Sequence, residues 1–187
     1  MRKAIVIGAS FGGMDAIRKI LSEFPEDLNL PVVVVLHIGS NSITTFLDQL
    51  NSKLPFRVKE AEEKENIMPG IVYFAPPNYH LQVEKNHTFS LSTDKKVNFS
   101  RPSIDVLFET AAWTYKEELI GIILTGSNKD GAKGLETIKK FGGITIVQNP
   151  ESAQAKLMPE YAVRQCSPDY ILDLGDITKK VTEHLES

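Results

Sequence analysis

Cysteine, surplus charge and long apolar runs are all scarce in this sequence. Cys166 is the only cysteine among 187 residues, which excludes a disulfide within the chain and is typical of a reducing compartment. The net charge of -3 offers no basic excess of the kind that binds nucleic acid. No apolar run reaches the ~20 residues of a membrane-spanning helix. We therefore expect a cytoplasmic protein that is not membrane-embedded and has no nucleic-acid partner.

Internal repeats, low-complexity tracts and linkers are missing too, so we expect a single domain over residues 1–187. The first residues enter an apolar strand directly, with no signal-peptide pattern. The 4 histidines lack the paired spacing of metal ligands. We predict no metal site and no cofactor.

Apolar, β-branched runs alternate along the chain with segments of helical periodicity. The runs predict buried strands over residues 4–7, 32–36, 119–124, 143–147 and 170–173. Buried helix faces are predicted over residues 17–24, 43–54, 104–111, 132–141 and 177–185, with a short helix starting at Pro159. Strands that alternate with helices form βαβ units. We therefore predict an α/β fold: three-layer α/β/α, doubly wound, with a mainly parallel sheet.

The middle of the chain, residues 56–92, has a different pattern of apolar and polar residues. Short and partly alternating runs are separated there by turns rich in proline, glycine and asparagine. This pattern predicts one or two antiparallel hairpins added to the main sheet. Two helix starts carry capping signals: Ser42, after a turn at residues 39–42, and Ser103.

Three strand ends carry residues that are capable of chemistry. Ser10 follows the first strand, His37 follows the second, and Asp130 lies in the loop after the strand at 119–124. Ligands of open α/β sheets bind beyond the carboxyl ends of the strands. A serine, a histidine and an aspartate there supply a nucleophile, a base for its proton and a carboxylate that orients the base. Their chain order differs from that of α/β-hydrolases, although the glycines around Ser10 match that fold's G-x-S-x-G spacing.

Each of these residues also has a structural interpretation. A serine in a glycine-rich strand–helix turn is typical of a helix cap, and a single histidine after a buried strand is typical of a structural side chain. Asp130 before Gly131 is a common turn or capping pair. The joint placement of Ser10, His37 and Asp130 at strand ends favours the catalytic interpretation.

A nucleotide-binding turn is a further alternative for the first strand–helix junction. Its glycines are Gly8, Gly12 and Gly13, with Ser10 in the place of a central glycine, and the second strand ends in His37 instead of an acid. A phosphate-binding P-loop needs a Gly-Lys-Ser/Thr sequence, which does not follow. Both departures count against a bound nucleotide.

Several motifs occur together, in order, over nearly the whole chain. They are Gly8-Ala-Ser-Phe-Gly-Gly13, Leu36-His-Ile38 and Thr125-Gly-Ser-Asn-Lys-Asp-Gly131, with further similar stretches at residues 68–76 and 101–108. Together they resemble the catalytic domain of the CheB-type protein-glutamate methylesterases of bacterial chemotaxis. The resemblance implies a three-layer α/β/α hydrolase that demethylates glutamate γ-methyl esters on chemoreceptor signalling helices. Some members of that family also deamidate receptor glutamines.

The resemblance also implies roles for individual residues. Ser10 is expected to be the nucleophile, His37 the general base and then acid, and Asp130 the orienting carboxylate. Backbone N–H groups near the nucleophile form the expected oxyanion site. The oxyanion candidates are Phe11, Gly12 and Ser127. Arg101 is a candidate for contact with an acidic receptor helix, beside a structural role at the entry of its own helix.

The sequence departs from the family pattern at three places. Phe11 stands where the family usually has threonine, Ile38 where it has methionine, and Ser127-Asn128 where it has Met-Gly. Asn128 in a glycine position is expected to strain a left-handed turn. The alternative function is therefore a catalytically weak or inactive module of the same fold that binds a receptor or partner.

The family usually carries a receiver domain before the esterase domain, and no receiver sequence is present here. The chain is expected to be an isolated catalytic domain or a stand-alone member. In both cases a regulatory receiver domain would act in trans.

Overall fold

The structure is a computed structural model and describes residues 3–38 and 43–186. Nine strands alternate with six α-helices in those residues. The strands are β1 (Ala4–Ala9), β2 (Val32–Leu36), β3 (Arg57–Glu60), β4 (Ile71–Phe74), β5 (His80–Val83), β6 (Phe89–Ser92), β7 (Leu119–Ile123), β8 (Ile144–Gln148) and β9 (Tyr170–Leu172). The helices are α1 (Gly13–Glu23), α2 (Thr44–Asn51), α3 (Ile104–Tyr115), α4 (Ala132–Lys140), α5 (Leu157–Cys166) and α6 (Leu174–Glu186).

Seven strands form one parallel sheet in the order β3-β4-β2-β1-β7-β8-β9. The chain first leaves β1 towards β2 and later returns to the other side of β1 as β7. Such a reversal opens a crevice beyond the carboxyl ends of the central strands. The crevice is bordered by the segments that follow β1, β2 and β7.

Helices cover both faces of this sheet, as the alternation along β1 requires. Ile5 and Ile7 pack in the core shared with α1, α2 and α6. Ala4 and Val6, which point to the opposite face, pack in the core shared with α3, α4, α5 and the β5–β6 hairpin. The predicted three-layer, doubly wound architecture is confirmed.

The middle of the chain corrects one part of the prediction. β5 and β6 do form an antiparallel hairpin, as predicted. β3 and β4 instead extend the main sheet as parallel strands, so a second hairpin is wrong. The misleading alternation has a simple cause: β3 is an edge strand, with Arg57 exposed and Val58 buried. Edge strands alternate because only one of their faces is covered.

Several helix boundaries also differ from the predicted ones. α5 begins at Leu157, two residues before Pro159, which lies in the first turn, where a missing N–H costs no helical hydrogen bond. Ser103 is the N-cap of α3, as predicted, and its Oγ accepts from the N–H of Val106. The predicted turn at residues 39–42 and the cap at Ser42 lie outside the described residues. Within residues 3–38 and 43–186, every helix is too short or too polar to cross a membrane.

Candidate active site

Ser10 lies in a tight turn between β1 and α1. Its N–H donates to the carbonyl of Thr125 at 3.0 Å, and its own carbonyl accepts from the N–H of Gly13 at 2.7 Å. Gly12 is the N-cap residue of α1, with φ 77° and no side-chain cap. The hydroxyl of Ser10 therefore does not cap α1, and the capping interpretation of this serine is wrong.

A cavity of about 630 Å³ opens in front of this turn, and both Ser10 and His37 line it. Phe11 and Gly12 line it as well. Their two backbone N–H groups donate no hydrogen bond to any described residue, so they are free to bind an oxyanion. Ser127 is exposed and does not line this cavity, which separates it from the other two oxyanion candidates.

His37 follows β2, and its N–H donates to the carbonyl of Ala9 at 3.0 Å. Nε2 of its ring lies 3.1 Å from Oδ2 of Asp130. The distance fits a hydrogen bond, but the angle at Nε2 does not, so Nε2 has no hydrogen-bond partner among the described residues. The carboxylate of Asp130 therefore lies beside the ring, off the direction of a linear hydrogen bond.

No hydrogen bond joins Oγ of Ser10 to either ring nitrogen of His37 in the structure, although both residues are described. The other ring nitrogen, Nδ1, instead lies 3.4 Å from Nδ2 of Asn128. Catalytic hydrogen bonds are often loose before substrate binds. The structure thus brings Ser10, His37 and Asp130 to one crevice, with the base–carboxylate contact formed and the nucleophile–base contact open.

Asp130 is fully buried at the start of α4, facing the first turn of α3. Its Oδ2 accepts from the N–H of Ile104 at 2.7 Å, and its Oδ1 accepts from Oγ of Ser103 at 2.8 Å. Burial by itself would raise the pKa of the Asp130 carboxyl, but the bonds from His37 and from the N–H of Ile104 hold that pKa below its usual value. Asp130 is therefore ionised and anchored, as an orienting carboxylate must be.

A second buried carboxylate, Asp105, lies directly behind Asp130. Its Oδ1 accepts from the N–H groups of Gly131 and Gly134, at 3.0 and 2.7 Å, which ties α3 to the first turn of α4. Burial, together with the nearby charge of Asp130, raises the pKa of Asp105 to about 6. Nδ2 of Asn98 bridges the pair, at 2.8 Å from Asp105 and 3.0 Å from Asp130.

Asn98, Asp105 and Thr125 also belong to the site, and the sequence did not predict them there. Thr125 connects two of its loops: Oγ1 donates to the carbonyl of Phe11 at 2.9 Å and accepts from the N–H of Ala155 at 2.8 Å. Asp105 and Thr125 both lie in stretches that resemble the family, which is the one signal that pointed to them. Asn98 lies in a loop without any motif.

Asn128 is not strained, contrary to expectation. Several described non-glycine residues have a positive φ, but Asn128 is not one of them, so its backbone lies outside the left-handed region. Its Oδ1 accepts from the N–H of Asp130 at 3.0 Å, so the side chain closes a local turn. Asparagine replaces glycine here without a backbone penalty.

Arg101 lies at the mouth of a second cavity of about 300 Å³ that shares His37 with the first. Its Nη1 donates to the carbonyls of Thr93 and Asp94, at 2.7 and 3.0 Å, and so holds the loop before α3. The structural role at the entry of α3 is thus observed. Lys96 lines the same cavity, which therefore carries two positive side chains beside the candidate base.

Other titratable residues have structural places. His80 is buried and accepts from the N–H of Ser103 through Nδ1 at 3.2 Å. Cys166 ends α5, and burial raises the pKa of its thiol. Three or more His, Cys, Asp or Glu side chains nowhere gather into a possible metal site in the described ranges.

The fold and the site define a parallel α/β protein in which a serine, a histidine and an aspartate lie at one crevice beyond the strand ends, at a topological switch point. The sequence matches the CheB methylesterase family over residues 5–181. The chain belongs to this family.

Individual relatives agree with that assignment. A Leptospira interrogans protein, provisionally named protein-glutamate methylesterase/protein-glutamine glutaminase, is 51% identical over 95% of this chain and 92% of its own length. A Clostridium acetobutylicum protein of the same name is 35% identical over 96% of this chain, which spans only 52% of that relative. The crystal structure of the Thermotoga maritima CheB methylesterase catalytic domain superposes with a TM-score of 0.93, at 34% identity, covering 98% of this chain and 99% of that one.

Proposed function

We propose that this chain is a protein-glutamate methylesterase that uses Ser10 as its nucleophile, with deamidation of glutamine as a second reaction of the same site. The observation that carries the assignment is the cavity that Ser10 and His37 line together, with the buried Asp130 3.1 Å behind the imidazole. The names of its relatives supply the substrate class. Chemoreceptor helices that carry glutamate methyl esters are the proposed substrate.

The reaction follows from the placement of these groups. His37 takes the proton of Ser10, and Oγ attacks the ester carbonyl. The N–H groups of Phe11 and Gly12 are placed to bind the resulting oxyanion. His37 returns the proton to the leaving methoxide, and methanol departs. Water, deprotonated by His37, then hydrolyses the acyl-enzyme, so that the glutamate carboxylate and Ser10 are restored.

Methanol release from a methylated receptor tests this assignment. Ser10→Ala removes the hydroxyl that lines the cavity together with His37, so we expect the rate to fall at least about 10³-fold. Ser127→Ala is the matched control, because it removes an exposed hydroxyl that lies outside the cavity and keeps the backbone N–H of residue 127. We expect its rate to remain near that of the wild type. Equal rates for the wild type and Ser10→Ala would refute the proposal.

A non-catalytic binding module is the second candidate. The open contact between Ser10 and His37 favours it, as does the side chain of Phe11, which is 60% exposed at the cavity. A fluorophosphonate probe separates the two candidates, because it labels only an activated serine. Folded protein that binds the receptor but leaves Ser10 unlabelled would establish the binding module.

The regulation and setting of the enzyme belong to the same proposal. One sheet with two shared cores supports a single catalytic domain over residues 1–187. We place its action in the cytoplasm, with a phosphorylated receiver domain acting in trans. Adding such a receiver domain to the chain should raise the rate of methanol release, and an unchanged rate would exclude this partner.

A further inference from the structure

The side-chain amide of Asn128 has one assignable orientation. One of its terminal atoms faces the backbone N–H of Asp130 at 3.0 Å, and the other faces Nδ1 of His37 at 3.4 Å. A backbone N–H can only donate, so the atom in front of it must be the amide oxygen. The atom that faces His37 is therefore the amide nitrogen, which is a donor.

This orientation assigns the proton on the imidazole. An amide nitrogen accepts no hydrogen bond, so Nδ1 of His37 must present its lone pair to Asn128. The single proton of the neutral ring then lies on Nε2, which is 3.1 Å from Oδ2 of Asp130. The ionised carboxylate of Asp130 lies beside that nitrogen and favours a proton there, so the contacts on both sides of the ring agree on one tautomer.

We infer that Asn128 is a positioning residue that holds His37 in the Nε2–H tautomer and occupies Nδ1, the nitrogen that must accept the proton of Ser10. The inference rests on the proposed esterase function for its kinetic consequence. In the structure the amide of Asn128 contacts Nδ1 of His37, and no hydrogen bond joins Ser10 to it. Each turnover then begins when Ser10 replaces the amide at Nδ1, so that Asn128 sets both the identity of the base nitrogen and its availability.

The surroundings of His37 contain few other groups that could produce the same effect. Asp15 lines the first cavity with His37, and its carboxylate is paired with Arg18 at 2.6 Å. Asp130 is the carboxylate in contact with the ring, and Asp105 lies behind it across the Asn98 bridge. Lys96 and Arg101 line the cavity on the side of Asn128, and no hydrogen bond joins either of them to the ring in the described structure. Changes at Asn128 can therefore be interpreted through Nδ1.

Two substitutions separate the donor from the turn. Asn128→Asp keeps an oxygen for the N–H of Asp130 but replaces the donor with a second acceptor, so that Nδ1 is favoured in its protonated form. We expect the acid limb of the pH–rate profile to move upward by about one pH unit. Asn128→Gly removes both contacts and frees Nδ1, so we expect fluorophosphonate labelling of Ser10 to become at least threefold faster.

The direct measurement is ¹⁵N NMR of the neutral His37 ring in the full chain. We expect an unprotonated Nδ1 and a protonated Nε2 in the wild type and in Ser127→Ala, and loss of this single tautomer in Asn128→Gly. A wild-type ring with its proton on Nδ1 would overturn the inference, as would a tautomer and a labelling rate that are both unchanged in Asn128→Gly.

The NMR result does not depend on turnover. Ser10→Ala should show the same tautomer as the wild type, because the contacts with Asn128 and Asp130 do not involve Oγ. A protein with the Nε2–H tautomer but no labelling of Ser10 in any variant would refute the esterase function and leave the role of Asn128 standing.

Discussion

Asp105 and Asp130 show how two carboxylates can share one buried site. They are 6% and 0% exposed, and an isolated charge at such burial is strongly unfavourable. Backbone N–H groups at two helix starts and the bridging amide of Asn98 compensate both. The compensation is unequal, because only Asp130 also contacts His37. Asp130 therefore stays ionised, and Asp105 has a pKa raised to about 6.

Asp105→Asn should remove one component of the pH dependence of stability. The pKa of Asp105 is about 6 in the folded protein, against an ordinary value of 3.8 for an aspartate. Its proton therefore stabilises the fold at low pH, and this stabilisation is lost as pH rises through about 6. Between about pH 4 and 7, we expect the free energy of unfolding of Asp105→Asn to gain up to about 3 kcal/mol relative to the wild type. Urea unfolding at several pH values measures this difference in free energy, and Asp94→Asn, at an exposed position, is the control. Parallel curves for the wild type and Asp105→Asn would contradict the assignment.

The packing of α3 on α4 is what brings these carboxylates together. The two helices meet at Gly134, where an added Cβ would lie 2.6 Å from Cβ of Phe108 and 3.0 Å from Cα of Asp105. Neither of these atoms can move without displacing α3. The N-terminus of α3 carries the N–H groups that hold Asp130. A shift of α3 at its contact with Gly134 would therefore also displace Asp130.

Gly134→Ala should therefore destabilise the protein even though alanine is the better helix former. We expect a loss of about 2 kcal/mol or more in the free energy of unfolding, measured in urea, and a lower esterase rate from a displaced Asp130. Gly175→Ala in α6 is the matched control, because its added Cβ meets only the end of Lys19 at 3.9 Å. It should be neutral or stabilising by up to about 1 kcal/mol. A Gly134→Ala protein more stable than the wild type would contradict this prediction, because it would mean that α3 moves aside at little cost.

Taken as one molecule, the protein gathers its chemistry at a single edge of the sheet. The crevice beyond β1, β2 and β7 holds both cavities, and the second cavity carries the positive side chains of Lys96 and Arg101. The chain itself has a net charge of -3, so this positive edge is local. Such an edge suits the acidic helix that we propose as the substrate.

Arg101→Glu and Lys96→Glu should each raise the KM for a methylated receptor about fivefold or more at low salt, because either change reverses a charge near the substrate. Hydrolysis of a small neutral ester, p-nitrophenyl acetate, should be unchanged in Lys96→Glu, whose exposed side chain leaves the loop contacts of Arg101 intact. Lys140→Glu on the remote end of α4 is the control. An unchanged KM in both variants would exclude this edge as the receptor contact.

How far the site was predictable depends on the sequence distance of each contact. Ser10, His37 and Asp130 were predictable because each follows a buried strand, and parallel strands bring their ends together. Asn98 was not, since its bridge to Asp130 spans 32 residues and no periodicity marks a loop residue. The contact of Asn128 with His37 spans 91 residues, and only the folded chain reveals it.

The sequence by itself determined the elements and their layers. Apolar runs and helical periodicity are local properties, and βαβ units of such elements have one favoured handedness and a parallel sheet. The tertiary structure decided the remainder: that β3 and β4 join the main sheet, that Asp105 supports Asp130, and that Asn128 rather than Ser10 contacts Nδ1 of His37. These features depend on distances of a few ångströms between segments far apart in the chain, and no local pattern of residues specifies such distances.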